Sequence, residues 1–444
     1  MTTKQTLAQL RDYESRNILF TEPDGSWPIV WERARGVHVW DAEGKKYLDL
    51  TAAFGVATAG HANRAVVRAG QRQMATLLHA MGDVHPHALK AQLARELSRL
   101  TFERWHHKPG KVIFNNSGFE AVEAALKTAI LATGKRSVIA FEGAYHGLGY
   151  GALNATHREH FRGPFRSQLR EFGNFLPFPR TEAELRLLTS AATKIFQREK
   201  IGAILVEPIQ ARGGINIPPA GFLRLLRKLC SQHGALLILD EIYTGFGRTG
   251  KWFACERSGV VPDLICLGKA LTGGFPLSAC IGRADVMDAA WPASQGEAIH
   301  TSTFLGHPVG CAMALAQISE IRRLKLCECS AKLGKSLLAL LGDVAADLNR
   351  RKLPAGKSAR TNGHGYKAAA RGVGLMAGLE LLSQDGVPAT AESLRVIKAM
   401  LHRGYILLPE GEHGNIISFT PPLTITEAQL ERMTTELQKV LNHA

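Results

Sequence analysis

Six short apolar runs punctuate the middle of the chain, and each gives way to a cluster of polar or small residues. They are Lys111–Phe114 (KVIF), Ser137–Phe141 (SVIAF), Ala203–Val206 (AILV), Ala235–Leu239 (ALLIL), Leu264–Leu267 (LICL) and Leu277–Ile281 (LSACI). Runs of this length, buried on both faces and separated by helical patterns, predict an α/β unit with a largely parallel sheet. The spacing predicts helices over Glu120–Ala132 and Gly221–His233. In such a sheet the binding residues gather beyond the carboxyl ends of the strands. The clusters after each run are therefore where function is to be read.

The alternation stops near Leu305. A long helical stretch follows Pro308, then a basic connection, then VGLMAGLEL, another helix and IISFTPPLTIT. A chain of 444 residues exceeds one core of usual size. The expected division is a large domain over residues 61–310 and a smaller α+β domain over 311–444, joined by the N-terminal segment 1–60, whose GVHVWDAEGKKYLDL reads as hairpin-like. No internal repeat is visible.

Several function classes are set aside. No run of about 18 uncharged apolar residues exists, so no membrane span is expected. The first residues, MTTKQTLAQLRDYESRN, lack the apolar core of a signal peptide. The seven cysteines are scattered, and Cys327 and Cys329 have no second pair to complete a zinc site, so free thiols, a reduced cytoplasm and no metal are expected. The formal charge of +15 is spread along the chain. Its densest patch, Arg350–Arg371, reads as an exposed connection and not as a nucleic-acid surface.

After KVIF comes Asn115-Asn116-Ser117-Gly118-Phe119-Glu120, opening a helix. Such a turn either caps the helix through Ser117 or offers free N–H groups to a phosphate. After SVIAF come Tyr145, His146 and Gly147; the tyrosine either packs or stacks on a planar ligand. After ALLIL come Asp240 and Glu241. A carboxylate at the tip of a buried strand needs a partner: a helix end, a metal or a cationic heterocycle. Lys269 follows LICLG and precedes a Gly-rich turn. Burial lowers a lysine's pKa and makes it a nucleophile toward aldehydes. A P-loop is excluded, because Asp263 and Ala270 stand where it needs a glycine and a hydroxyl. Gly245–Gly250 (GFGRTG) matches G-x-G-x-x-G and leaves a nicotinamide oxidoreductase as a competing reading. A phosphate cradle, a stacking aromatic, a strand-end aspartate and a buried lysine together are the set that pyridoxal phosphate requires.

With these pieces in hand, the chain resembles the class III aminotransferases, fold-type I pyridoxal-phosphate enzymes that include ω-amino-acid and amine transaminases. The resemblance runs from DAEGKKYLDL to TPPLTIT and rests on NSGFEAVEAALKTA, AYHG, VEPIQ, LILDEIYTGFGRTG, LGKALTGG and TSTFLGHP. It implies a large domain with a mostly parallel seven-stranded sheet flanked by helices. It implies that Lys269 is the Schiff-base lysine and proton carrier, and that Asp240 pairs with the ring nitrogen. Tyr145 and Ile242 would flank the ring, while Ser117, Gly118 and Phe119 bind the phosphate. His146 and Glu207 would belong to the cofactor site. Thr303 would reach the cofactor of a second subunit, implying a homodimer. Phe54 lies where the family's N-terminal segment meets substrate.

The chain also departs from common patterns. Phe119 stands where a hydroxyl residue often aids the phosphate. Tyr243 replaces a frequent glutamine, and its phenol could restore the lost hydrogen bond to the cofactor. His307 replaces a frequent asparagine. Leu148 replaces the arginine that relatives acting on 4-aminobutyrate, ornithine or acetylornithine use for a distal carboxylate. Many relatives read QGEGG where this chain has QARGG, and carry an arginine in place of Ser418; there the acid and the arginine face each other. Here Arg212 is expected to receive the substrate carboxylate, unless it turns to solvent or pairs with a local acid.

The expected activity is transfer of an amino group from an amine or an ω- or β-amino acid to a keto acid, pyruvate over 2-oxoglutarate, by a ping-pong cycle. The alternative is a racemase or epimerase of an amino-acid derivative, since GNIISFTPPLTITEAQL resembles the tail of an amino-lactam racemase in this class.

Overall fold

The computed structural model describes residues 1–350 and 366–442. Of the basic connection Arg350–Arg371, residues 351–365 lie outside the described residues.

All six apolar runs are strands of one seven-stranded sheet. Across the sheet the order is Gly110–Asn115, Ser278–Arg283, Leu264–Leu267, Leu236–Asp240, Ile201–Val206, Ser137–Phe141 and Gly173–Leu176. Only Ser278–Arg283 runs against its neighbours; the remaining pairings are parallel. Every residue of Ile201–Val206 and Leu264–Leu267 is buried, as runs apolar on both faces require. The seventh strand, Gly173–Leu176, sits at the edge. Its sequence GNFL has too little β-forming character to announce itself.

The two expected helices form over Gly118–Thr133 and Phe222–His233 and stop at Gly134 and Gly234, both left-handed (φ 66° and 59°). A glycine adopts that conformation without a Cβ clash. The second helix buries Phe222, Leu223, Leu226, Leu229 and Cys230, one stripe at helical spacing. Each such side chain contributes roughly 1.5–3 kcal/mol.

Two four-stranded sheets complete the fold. In the first, Trp31–Arg35, His38–Asp41 and Lys46–Asp49 form a meander, and Tyr405–Ile406 pairs parallel to its last strand. The N-terminal segment thus shares a sheet with chain from beyond residue 400. In the second, Lys367–Gly372, Ala377–Leu382, Ile416–Phe419 and Leu408–Glu410 are antiparallel neighbours. One apolar cluster joins Val37, Ile139, Leu337 and Leu437, so the core is continuous across the sheets. Among the described residues, no helix is long and apolar enough to cross a membrane, and no group of three or more His, Cys, Asp or Glu side chains could hold a metal.

The GFGRTG segment is not a phosphate loop. It forms turns and opens no helix. Gly250 has φ 85°, and a Cβ there would lie 2.9 Å from Ala331. Arg248 is fully buried and donates to the carbonyls of Leu375 and Pro421. The segment ties the large sheet's surroundings to the C-terminal chain, which removes the basis for the nicotinamide reading.

Candidate active site

The carboxyl ends of the strands converge on one cavity of about 400 Å³. Strand Leu236–Asp240 delivers Asp240 to it. One oxygen of that carboxylate accepts the Ile242 N–H (3.1 Å), and the other lies 2.8 Å from His146 Nδ1. Glu241, the next residue, turns away, as alternation along a strand dictates. It is fully buried and accepts from Thr244 Oγ1 and the N–H groups of Ala254 and Cys255. Asp240 faces the cavity, and Glu241 braces the fold behind it.

Lys269 follows strand Leu264–Leu267 and sits at φ 22°, a strained value for a residue with a side chain. Burial pushes its amine below the usual 10.5, opposed by the charges of Asp240 and Glu207. Its Nζ lies 4.7 Å from the centre of the Tyr243 ring. Glu207 follows strand Ile201–Val206. Its two oxygens accept the N–H groups of Tyr145 (3.0 Å) and Ala211 (3.2 Å). Burial pushes its carboxyl up to about 7.

Eleven of the expected residues line this cavity: Gly118, Phe119, Tyr145, His146, Leu148, Glu207, Arg212, Asp240, Ile242, Tyr243 and Lys269. Four do not. The Ser117 N–H and hydroxyl both donate to Glu120, at 2.7 and 3.1 Å, so the Glu120 carboxylate ties Ser117 to the start of its helix. Phe54 is 51% exposed, on a turn where Ala52, Ala53 and Phe54 all have positive φ. Thr303 is exposed. Ser418 is buried and donates to the Leu408 carbonyl. The Tyr243 hydroxyl has a partner within the chain. Thr420 gives its proton to the Thr51 carbonyl, and the Tyr243 hydroxyl bonds to Thr420 Oγ1 at 3.2 Å. Gly55 makes room for the ring, since a Cβ there would fall 2.9 Å from it.

The loop carrying Arg212 is closed by Gln210 and Asn216. Their backbones pair, the Asn216 amide donates to Gln210 Oε1 (2.9 Å), and Gln210 Nε2 donates to the Glu142 carbonyl (2.7 Å). A Cβ at Gly213 would lie 2.7 Å from Gln210 Oε1 and 2.8 Å from the Gly143 carbonyl, so the turn requires glycine. The Arg212 guanidinium lies 5.0 Å from the centre of the Tyr145 ring, and its Nε is 3.4 Å from Glu410 Oε2. Arg212 is therefore not free in solvent; it meets an acid. Sequence reasoning missed two of its neighbours. Arg158 donates to the Arg212 carbonyl. Glu410 ends the run Ile406-Leu407-Leu408-Pro409, the same acid-after-apolar signal that singled out Asp240.

The description Aminotransferase class-III matches residues 20–441. The chain belongs to the class III aminotransferases. Over 416 residues the aminotransferase is 34% identical to an acetylornithine aminotransferase of Methanosarcina acetivorans, covering 94% of this chain and 92% of that one. It is 36% identical over 455 residues to a putrescine aminotransferase of Pectobacterium atrosepticum, covering 99% and 88%. Among solved structures, an (S)-enantioselective omega-transaminase of Thermomicrobium roseum superposes with a TM-score of 0.87 at 26% identity, covering 100% and 99% of the two chains.

Class III aminotransferases depend on pyridoxal phosphate, and the cavity fits it. A buried amine and a buried carboxylate share the space, an aromatic ring lines it, and a 16-residue helix begins at Gly118 on its wall. A Cβ on Gly118 would press within 3.1 Å of Ile242 and narrow that cradle. His146 Nε2 is buried without a partner.

Proposed function

We propose that the aminotransferase moves an amino group from an amine or an ω- or β-amino acid to a keto acid, pyruvate in preference to 2-oxoglutarate, in a ping-pong cycle through Lys269. The charge of the cavity wall carries this reading. Lys269 and Arg212 are the lysine and arginine that line it, and Leu148 occupies the position at which the resemblance places an arginine for a distal carboxylate. One guanidinium suits one carboxylate. The second carboxylate of 2-oxoglutarate would enter without a partner, which is costly. Relatives named for 5-aminovalerate and putrescine support a donor with its amine on a terminal carbon.

When bound, pyridoxal phosphate supplies an aldehyde that takes up the amino group and a ring that draws electrons from the donor carbon. Gly118 and Phe119, at the start of their helix, would hold the phosphate, and Ser117 would join them on releasing Glu120. Tyr145 and Ile242 would hold the ring between them. Asp240, fixed by His146 and the Ile242 N–H, would keep the ring nitrogen protonated. Glu207 holds the Tyr145 backbone and the Arg212 loop in one frame. Lys269 Nζ, kept toward neutrality by burial, takes the proton from the donor carbon and returns it.

A homodimer in which Thr303 approaches the neighbouring site is part of this reading. Leu78, Met81, Val84 and Phe304 are exposed, and the His79–Phe304 ring contact (5.4 Å) brings residues from both segments onto one surface. Sedimentation at micromolar concentration should give twice the chain mass.

The test of the activity is a panel of amines and ω-amino acids, each with pyruvate and with 2-oxoglutarate. Faster turnover with 2-oxoglutarate across the panel would overturn the acceptor assignment. Loss of optical rotation from a single enantiomer without any acceptor would assign the isomerase instead.

A further inference from the structure

A second cavity, of about 510 Å³, shares no lining residue with the catalytic one. Gly36, His61 and Thr424 are among the residues of its floor, and its rim carries the exposed side chains of Arg35, Arg64 and Arg68. Arg35 ends strand Trp31–Arg35, while Arg64 and Arg68 lie one turn apart on helix Arg64–Thr76. Two separate elements thus bring three guanidiniums to one concavity. Among the described residues, none of the three pairs with an acid or donates a side-chain hydrogen bond. No Asp or Glu is found among the described residues that line the cavity.

A chain with a formal charge of +15 leaves many arginines without an acid. What sets these apart is where they stand. Helix Arg64–Thr76 has no acid in its first turn and begins with Arg64 instead. A cation there opposes the helix dipole, and like charges four residues apart repel each other. Both placements cost helix stability, and an anion seated between the arginines offsets both. The floor is already built. His61 Nε2 lies 2.7 Å from the Asp49 carboxylate, and the His61 and Gly36 backbones exchange hydrogen bonds of 2.9 and 2.7 Å. The Asn63 amide is engaged by the Ala59 carbonyl, Glu320 and the N–H groups of Ala65 and Val66. Thr424 Oγ1, by contrast, is buried without a partner. Leaving such a hydroxyl unpaired is costly, and an oxyanion supplies the acceptor it lacks.

We propose that this cavity binds a small polyanion of the diphosphate class, held by Arg35, Arg64 and Arg68 and by the Thr424 hydroxyl. The forked donors of a guanidinium match phosphate oxygens. Three of them suit the several charges of a diphosphate better than the single charge of a carboxylate. A floor fixed before binding lowers the ordering cost of the complex. Because the arginines are exposed, the attraction is screened by salt.

The experiment uses the pyridoxal-phosphate-loaded protein, in which the catalytic cavity is already filled. It is titrated calorimetrically with inorganic diphosphate, orthophosphate and citrate. The expected result is one diphosphate per chain, bound about tenfold or more tightly than either of the others, with an affinity that falls as salt is raised. Arg64→Gln combined with Arg68→Gln should weaken diphosphate about tenfold or more. Arg180→Gln combined with Arg186→Gln removes the same charge from exposed positions on another part of the chain and should weaken it little. Without anion, the first double variant should melt no lower than the wild type, which shows that it is folded. It should also lose the rise in melting temperature that diphosphate gives the wild type. Absence of diphosphate binding, binding no tighter than that of orthophosphate or citrate, or equal losses in the two double variants would overturn the proposal.

Discussion

The ring of Tyr243 faces Lys269 and its hydroxyl faces away: Lys269 Nζ lies 4.7 Å from the ring centre, while the phenol oxygen bonds to Thr420 Oγ1 at 3.2 Å. The face of the ring is the part available to the catalytic amine. Tyr243→Phe should then keep kcat/KM within a few-fold of wild type. Tyr243→Leu, which removes the flat ring face that the amine lies against and leaves a gap beside it, should lower it by more. Steady-state kinetics with one amine and pyruvate decide the matter; equal losses in the two variants would mean that the hydroxyl matters after all.

Glu410 makes stability depend on pH. Its carboxyl titrates at about 7 when folded, against 4.5 ordinarily. A raised carboxyl pKa means the folded state prefers the protonated form, so this contribution is fully present below pH 4.5 and is lost as pH rises through 7. Glu410→Gln mimics the protonated form at every pH. Its melting temperature should match the wild type near pH 5 and exceed it near pH 8. A gap that is constant between those values would contradict the assignment.

Arg248 predicts a purely structural loss. It is 1% exposed and serves the carbonyls of Leu375 and Pro421. Arg248→Ala leaves two buried acceptors unpaired and opens a cavity. A cost of about 3–5 kcal/mol in urea unfolding is expected.

Gly147 predicts a local one. It has φ 108°, and a Cβ there would lie 2.3 Å from the Phe119 Cβ. Gly147→Ala should force apart the Tyr145–Gly147 turn and the start of the Gly118–Thr133 helix. Cofactor affinity, followed by visible absorption during dialysis, should fall while the far-ultraviolet dichroism stays unchanged.

What the sequence disclosed follows from how local each signal is. Strand Leu264–Leu267 and Lys269 lie within six residues of each other, so a buried strand with a lysine at its tip was legible. Asp240 and Glu241 were legible as two acids at one strand end, but both fit that description; which one meets the cavity depends on the face each presents. Gly173–Leu176 escaped because an edge strand needs little apolar character. Glu410 carries the same local signal as Asp240, but its partner lies on a loop far away in the chain, which no local signal identifies. That pairing is set by how strand Leu408–Glu410 packs across the loop after Ile201–Val206. Tyr243 shows the complementary limit: the sequence places it beside Asp240, whereas the direction of its hydroxyl depends on Thr420, far away in the chain.

The closure of the Arg212 loop by Gln210 and Asn216 has an evolutionary consequence. Main-chain groups, the Gln210 and Asn216 amides and the side chains of Arg158 and Arg371 fix the loop's path, and the Arg212 side chain has no part in it. Position 212 is a fixed socket with an interchangeable fitting. Substitutions there can retune which substrate is accepted without disturbing the loop, provided that Glu410, which would otherwise be buried without its counter-charge, changes with them. Drift in specificity is free to run ahead of drift in architecture at this point of the molecule, and libraries built on positions 212 and 410 should yield folded proteins at a high rate.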